Sequence, residues 1–169
     1  YETWLEKHGD SSEEQGAKVT FDLGWLHNLN NDSTTAVKIF SDIALQFPNT
    51  IQAAQAQMWV ADHLFNLSVD VGFAKAEEAY QKVRDIKKCS RQFRFRASLM
   101  AGRSALARRN FSNARDYLSR IISDAECPKE IHIEAVFALG DAAVLDPAKG
   151  GSRFEDAISI LETNLKPNV

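Results

Sequence analysis

Apolar residues recur along the chain at spacings of three and four, and nowhere do they alternate with polar ones over the length of a strand. The clearest stripe, Ala36, Val37, Phe40, Ile43, Ala44 and Phe47, predicts an amphipathic helix from about Ser33. Pro48 cannot continue that helix, and Asn49 or Thr50 is placed to cap the next. Before it, a helix is expected over roughly 12–29, opened by a capping box from Ser11 with Glu14 or Ser12 with Gln15 and closed by the turn Asn30-Asn31-Asp32. Helices over about 50–67 and 73–88 follow, joined by the link Ser68-Val69-Asp70-Val71-Gly72. Ser90 is placed to cap a helix over 91–108, with another over 111–124. Pro128 suits a first helical turn, and the helix it opens should end near Leu145. After Asp146–Gly151, Ser152 with Glu155 opens a last helix to about Leu165. Tyr1, Trp4, Leu5 and His8 share one helical face ended by Gly9, so residues 1–9 are expected to be the tail of an upstream helix. A chain that starts at Tyr1 is expected to be an excised or processed fragment, with the repeat continuing on both sides.

The eight expected helices repeat in pairs. Small residues Gly24, Ala61, Gly102 and Gly140 lie 37, 41 and 38 apart, and alanines Ala36, Ala76, Ala114 and Ala157 lie 40, 38 and 43 apart. Four residues after each alanine stands a large residue: Phe40, Tyr80, Leu118 or Leu161. Two antiparallel helices cross closely only where a side chain is small, so these positions predict the crossing points. A period of this size means stacked helical hairpins, each covering the apolar face its neighbour leaves open. The distance from small residue to alanine is 12 in the first and third hairpins, 15 in the second and 17 in the fourth, which predicts longer turns inside the second and fourth.

With Leu23-Gly24, Ala36, Phe40 and Pro48 in the first unit, Gly102, Ala114 and Leu118 in the third, and Leu139-Gly140 in the fourth, the chain resembles the tetratricopeptide repeat (TPR) family. The resemblance covers about residues 12–166 and implies a right-handed superhelical α-solenoid of about four hairpins, over about 12–48, 50–88, 90–125 and 128–166, in a repeat domain 10–169. The phrase Phe47-Pro48-Asn49-Thr50 followed by Ala53, Ala54, Ala56, Trp59 and Ala61 is similar to bacterial cell-envelope members of the family, so a periplasmic or envelope location stands beside a cytoplasmic one.

The resemblance also implies that the first helix of each hairpin lines a concave groove. The positions carried over are Lys18, Phe21, Trp25 and Asn28, then Gln55, Met58, Asp62, Phe65 and Asn66, then Arg96, Leu99 and Arg103, and finally Glu134, Phe137 and Asp141. Arg96 and Arg103, seven apart, share a helical face. Aromatic anchors beside an arginine pair suit a peptide or protein segment carrying an acidic group. The competing reading of Phe21, Met58 and Phe137 is ordinary packing between helices.

Charge changes the picture only locally. Residues 82–120 hold twelve Lys/Arg against Asp85 and Asp116, a surplus of ten, which leaves the rest of the chain at −13 within a total of −3. A solvated face is the first reading of this block, an acidic partner or neighbouring copy the second, and nucleic acid the least favoured, because only Phe93 and Phe95 are near enough to stack on bases. No apolar run is long enough to span a membrane.

Chemistry-bearing patterns are few. His8, His27, His63 and His132 lie in four segments without metal-ligand spacing. Cys89 and Cys127 occupy equivalent positions 13 residues after Ala76 and Ala114, on hairpins too far apart to bridge, so free thiols are expected. Lys87, Lys88 and Arg91 are close enough to Cys89 in sequence to activate it, although an inert thiol is the simpler reading. Glu13-Glu14 and Glu77-Glu78 read as exposed helix charges. No catalytic residue, metal or cofactor is indicated. The expected function is a non-catalytic interaction scaffold capable of end-to-end self-association. A module binding an anionic polymer, or an assembly domain of a larger enzyme, are the alternatives.

Overall fold

A computed structural model describes residues 9–165 of the 169. They form eight α-helices: α1 (Gly9–Leu29), α2 (Ser33–Gln46), α3 (Ile51–Asn66), α4 (Asp70–Asp85), α5 (Arg91–Ala107), α6 (Phe111–Ile122), α7 (Lys129–Leu145) and α8 (Arg153–Leu165). A 3-10 turn, Pro147–Ser152, precedes α8, and no strand occurs among the described residues. The fold is therefore all-α, as the periodicity predicts. Apart from Gly9, the expected upstream tail lies outside the described residues. Gly9 itself is helical and belongs to α1, as do Ser11 and Ser12.

Each helix packs on the next, and beyond those neighbours the substantial contacts join α1 to α3 and α5 to α7. The core divides accordingly. Ala17, Ala36, Phe40, Ile43, Ala53 and Val60 join α1, α2 and α3. Ala54, Met58, Ala76, Tyr80, Val83 and Ala97 join α3, α4 and α5. Leu99, Leu118, Ile121, Ile131 and Ala135 join α5, α6 and α7. Each cluster is one hairpin closed by the first helix of the next, so no hairpin shields its own apolar side. Phe40, Tyr80 and Leu118 are fully buried, whereas Leu161 is half-buried.

Caps explain the helix starts. Asp32, Thr50, Ser90 and Asn110 each accept a hydrogen bond from the backbone N–H three residues on. Inside each hairpin, one residue takes a left-handed conformation: Asn31, Ser68, Arg109 or Gly150. The first three stand seven residues after Gly24, Ala61 and Gly102. In the first and third hairpins the turn is a Schellman motif: Asp32 N–H donates to His27 O at 2.9 Å, and Asn110 N–H to Ala105 O at 2.8 Å.

The second hairpin departs from expectation. Its turn, residues 67–69, is the same three residues long as 30–32 and 108–110. The surplus lies in α4, whose 16 residues exceed the 14 of α2 and 12 of α6, because Asp70, Val71 and Gly72 are helical and not linker. A Cβ at Gly72 would stand 2.8 Å from Leu64 O, so this glycine admits the α3 backbone. Gly24 and Gly102 lie against Phe40 and Leu118 in the same way, at 2.8 and 3.0 Å. At Gly140 the nearest atom, on Leu161, is 3.8 Å away, an ordinary contact, so this glycine does not mark a tight crossing. The fourth turn is longer, as expected, and is organised by buried Asp146, which accepts from Ala148 N–H at 2.9 Å and pairs with Arg115.

A buried polar knot ties the second hairpin to the third. Glu77 on α4, 4% exposed, meets Arg108 Nε at 2.8 Å, Asn113 Nδ2 at 2.9 Å and the Tyr117 hydroxyl at 3.2 Å. Glu77 is thus no surface charge, unlike Glu78, which pairs with Lys82 in solvent.

Candidate functional site

The inner odd-numbered helices α3, α5 and α7 are covered around most of their circumference and keep a narrow exposed stripe each, while among the described residues α1 is covered on one side only. On α1 it carries Lys18 and Trp25, with Phe21 and Asn28 half-buried beside them. On α3 it carries Gln55, Asp62 and Asn66, with Phe65 half-buried. Arg96 and the partly covered Arg103 mark it on α5, and Glu134, Phe137 and Asp141 on α7. Two residues expected there are core instead. Met58, 7% exposed, packs with Ala76, Tyr80 and Ala97, and Leu99, fully buried, packs with Ile131 and Ala135. Both lie at the middle of their helices, where the neighbouring hairpin closes over the stripe.

Two clusters stand out on this face. The first is aromatic. Trp25, 41% exposed, lies edge-on to Phe21 at 6.5 Å and to Phe40 at 6.3 Å between ring centroids. Phe40 meets Trp59 at 4.6 Å, and Trp59 stacks on His63 at 5.4 Å. Trp59 and His63 were not among the expected site residues; their signal is the four-residue spacing that puts both on one side of α3. Phe65 turns instead toward Phe73 of α4, at 5.3 Å.

The second cluster is ionic. Arg96 donates to both Glu134 oxygens, at 2.9 and 3.1 Å, and Arg103 pairs with Glu134 at 3.0 Å. The expected arginine pair is real, but it is already answered by an internal carboxylate. Asp62 accepts from the Tyr80 hydroxyl, and Arg96 acts electrostatically on both. Burial pushes the Asp62 carboxyl up, against the opposing pull of Tyr80 and Arg96. It also pushes the Tyr80 hydroxyl up, reinforced by Asp62. Lys18, Gln55, Asn66 and Asp141 make no side-chain hydrogen bond or ion pair among the described residues, which leaves them open to a partner.

The basic block is largely neutralised in space. Lys82, Lys88, Arg91, Arg96, Arg103, Arg108, Arg115 and Arg120 pair with Glu78, Glu14, Glu126, Glu134, Glu77, Asp146 and Asp116. All but Asp116 of these carboxylates come from outside the block. Sequence segregation has become spatial interleaving.

The thiols are free and equivalent: Cys89 and Cys127 each turn toward the carbonyl of the residue that precedes the next helix, Ser90 at 3.6 Å and Pro128 at 3.5 Å. Burial pushes the Cys89 thiol up, outweighing Arg94, so the neighbouring cations do not activate it. His27 pairs with Asp32 at 3.1 Å, and among the described residues no group of histidines, cysteines or carboxylates is placed to hold a metal. No helix there is long and apolar enough to cross a membrane. No family model matches the chain, nor does any curated protein or solved structure.

Proposed function

We propose that the chain is a TPR-like right-handed α-solenoid of four hairpins, a non-catalytic scaffold that holds a peptide or protein segment along the stripes of α1, α3, α5 and α7. The observation that carries this reading is an asymmetry of contact. Odd helices approach one another at two of the three junctions, α1 to α3 and α5 to α7 though not α3 to α5, while no even pair makes a comparable backbone approach at any junction. Closer spacing on the odd side favours curvature toward it, which makes that side the trough.

The partner suited to this trough has an apolar or aromatic residue for the Trp25–Trp59–His63 row and polar groups for Gln55, Asn66 and Asp141. An acidic group on the partner competes with Glu134 for Arg96 and Arg103. The anionic-polymer alternative is disfavoured, because eight of the twelve cations of the basic block already have carboxylates.

Selection of a displayed random-peptide library on the full chain tests the reading. Selected peptides should lose binding on Trp25→Ala and on Phe137→Ala, and acidic ones should gain on Glu134→Gln. Peptides indifferent to all three substitutions would retire it.

A further inference from the structure

The even-numbered helices make no close backbone approach to one another, α4 and α6 meeting only through side chains such as Glu77 with Asn113 and Tyr117, so a cleft opens between each consecutive pair beside the odd helix between them. The three clefts are equivalent by construction but not in charge. Between α2 and α4, Lys75 and Lys82 are balanced by Glu78 and Asp85. Between α6 and α8, Arg115 is balanced by Asp156. Between α4 and α6 the lining holds four arginines, Arg84, Arg91, Arg94 and Arg120, against Asp124 alone. Arg91 is met by Glu126 and Arg120 by Asp116. The other two have no carboxylate: Arg84 has no ion-pair partner among the described residues, and Arg94 is held by the carbonyls of Ile86 and Lys87, each at 3.4 Å.

This middle cleft is a pocket of about 310 Å³ open on one side to solvent, within the size range of small-molecule sites. Its remaining walls are Ser98, Phe95, Ile121 and Tyr117, whose hydroxyl is tied to Glu77 at 3.2 Å, so the ring is a fixed surface. Two guanidiniums without carboxylates beside an aromatic and aliphatic wall match a doubly negative head on a flat apolar stem. We propose that the α4–α5–α6 cleft is a binding site for a phosphate monoester of a ring-sized group, with Arg84 and Arg94 on the phosphate and Phe95, Tyr117 and Ile121 on the ring. The site lies on the even-helix side and does not depend on the peptide trough.

Isothermal titration of the full chain with phenyl phosphate, inorganic phosphate and benzyl alcohol tests it. Phenyl phosphate should bind at least about tenfold tighter than either fragment, since charge-assisted bonds and ring burial each contribute about that factor. Arg84→Gln, an exposed substitution that leaves the core untouched, should weaken it about tenfold. Arg109→Gln, outside the cavity, should leave it unchanged. A glycine-flanked peptide carrying phosphotyrosine separates the sources of the group: binding equal to that of phenyl phosphate assigns it to a protein chain, and a tenfold or greater loss assigns it to a free small molecule. Absence of phenyl phosphate binding, equal binding of inorganic phosphate, or an equal loss in Arg109→Gln would overturn the proposal.

Discussion

Glu77 and Glu78 are adjacent and chemically identical, yet one is buried in a knot of Arg108, Asn113 and Tyr117 and the other lies in solvent beside Lys82. Removing Glu77 takes the shared acceptor from three partly covered donors. Glu77→Ala should therefore cost about 1–3 kcal/mol in chemical denaturation, from the hydrogen bonds that Asn113 and Tyr117 lose, whereas Glu78→Ala should cost no more than about 0.5 kcal/mol. Nothing local distinguishes the two, because Glu77 finds its partners 31 to 40 residues downstream. Trp25 is the opposite case: a tryptophan directly after a crossing glycine has no room on the packed side, and its exposure was legible in the sequence. At Cys89 the raised thiol pKa means less thiolate at a given pH. Iodoacetamide should modify native Cys89 more slowly at pH about 8 than the same residue in urea, with the native rate rising as pH is raised further. A native rate equal to the unfolded one would contradict the burial that sets it.

Helices were legible where capping groups punctuate them, as at Thr50 and Ser90, and the hairpin pairing followed from Gly24–Phe40 and Gly102–Leu118. The start of α4 was not. Asp70-Val71-Gly72 has the composition of a linker, and only the passage of the α3 carbonyl against Gly72 shows why a glycine belongs inside that helix. Met58 and Leu99 were misplaced for a related reason: the next hairpin decides how wide each exposed stripe is, and spacing within one helix carries no record of it. Two glycine substitutions separate these situations. Gly72→Ala drives a methyl to 2.8 Å from Leu64 O and should lose about 1–2 kcal/mol net of its helix propensity. Gly140→Ala has 3.8 Å of clearance and should gain about 0.5–1 kcal/mol. Thermal melts of the two variants should move in opposite directions.

Across the described residues, the eight helices form three core clusters in series, each shared between neighbouring hairpins, and among those residues the first and last helices are covered on one side only. Val19, Leu23 and Leu26 on α1, and Phe154 and Ile158 on α8, are between 47% and 62% exposed. Apolar stripes of this kind favour head-to-tail association between copies. Sedimentation velocity at rising concentration should show self-association that Leu23→Lys and Ile158→Lys abolish; a concentration-independent monomer would refute it. The intra-hairpin turns set a different limit. Three of them spend three residues and one left-handed backbone step on reversing the chain, with no slack. The fourth runs from Asp146 to Ser152, and Gly150 and Gly151 have no neighbour within 4 Å of where a side chain would stand. Cargo spliced between those two glycines, such as a fluorescent reporter or an affinity tag, should leave melting behaviour intact, while the same splice after Asn31 or Arg109 should not.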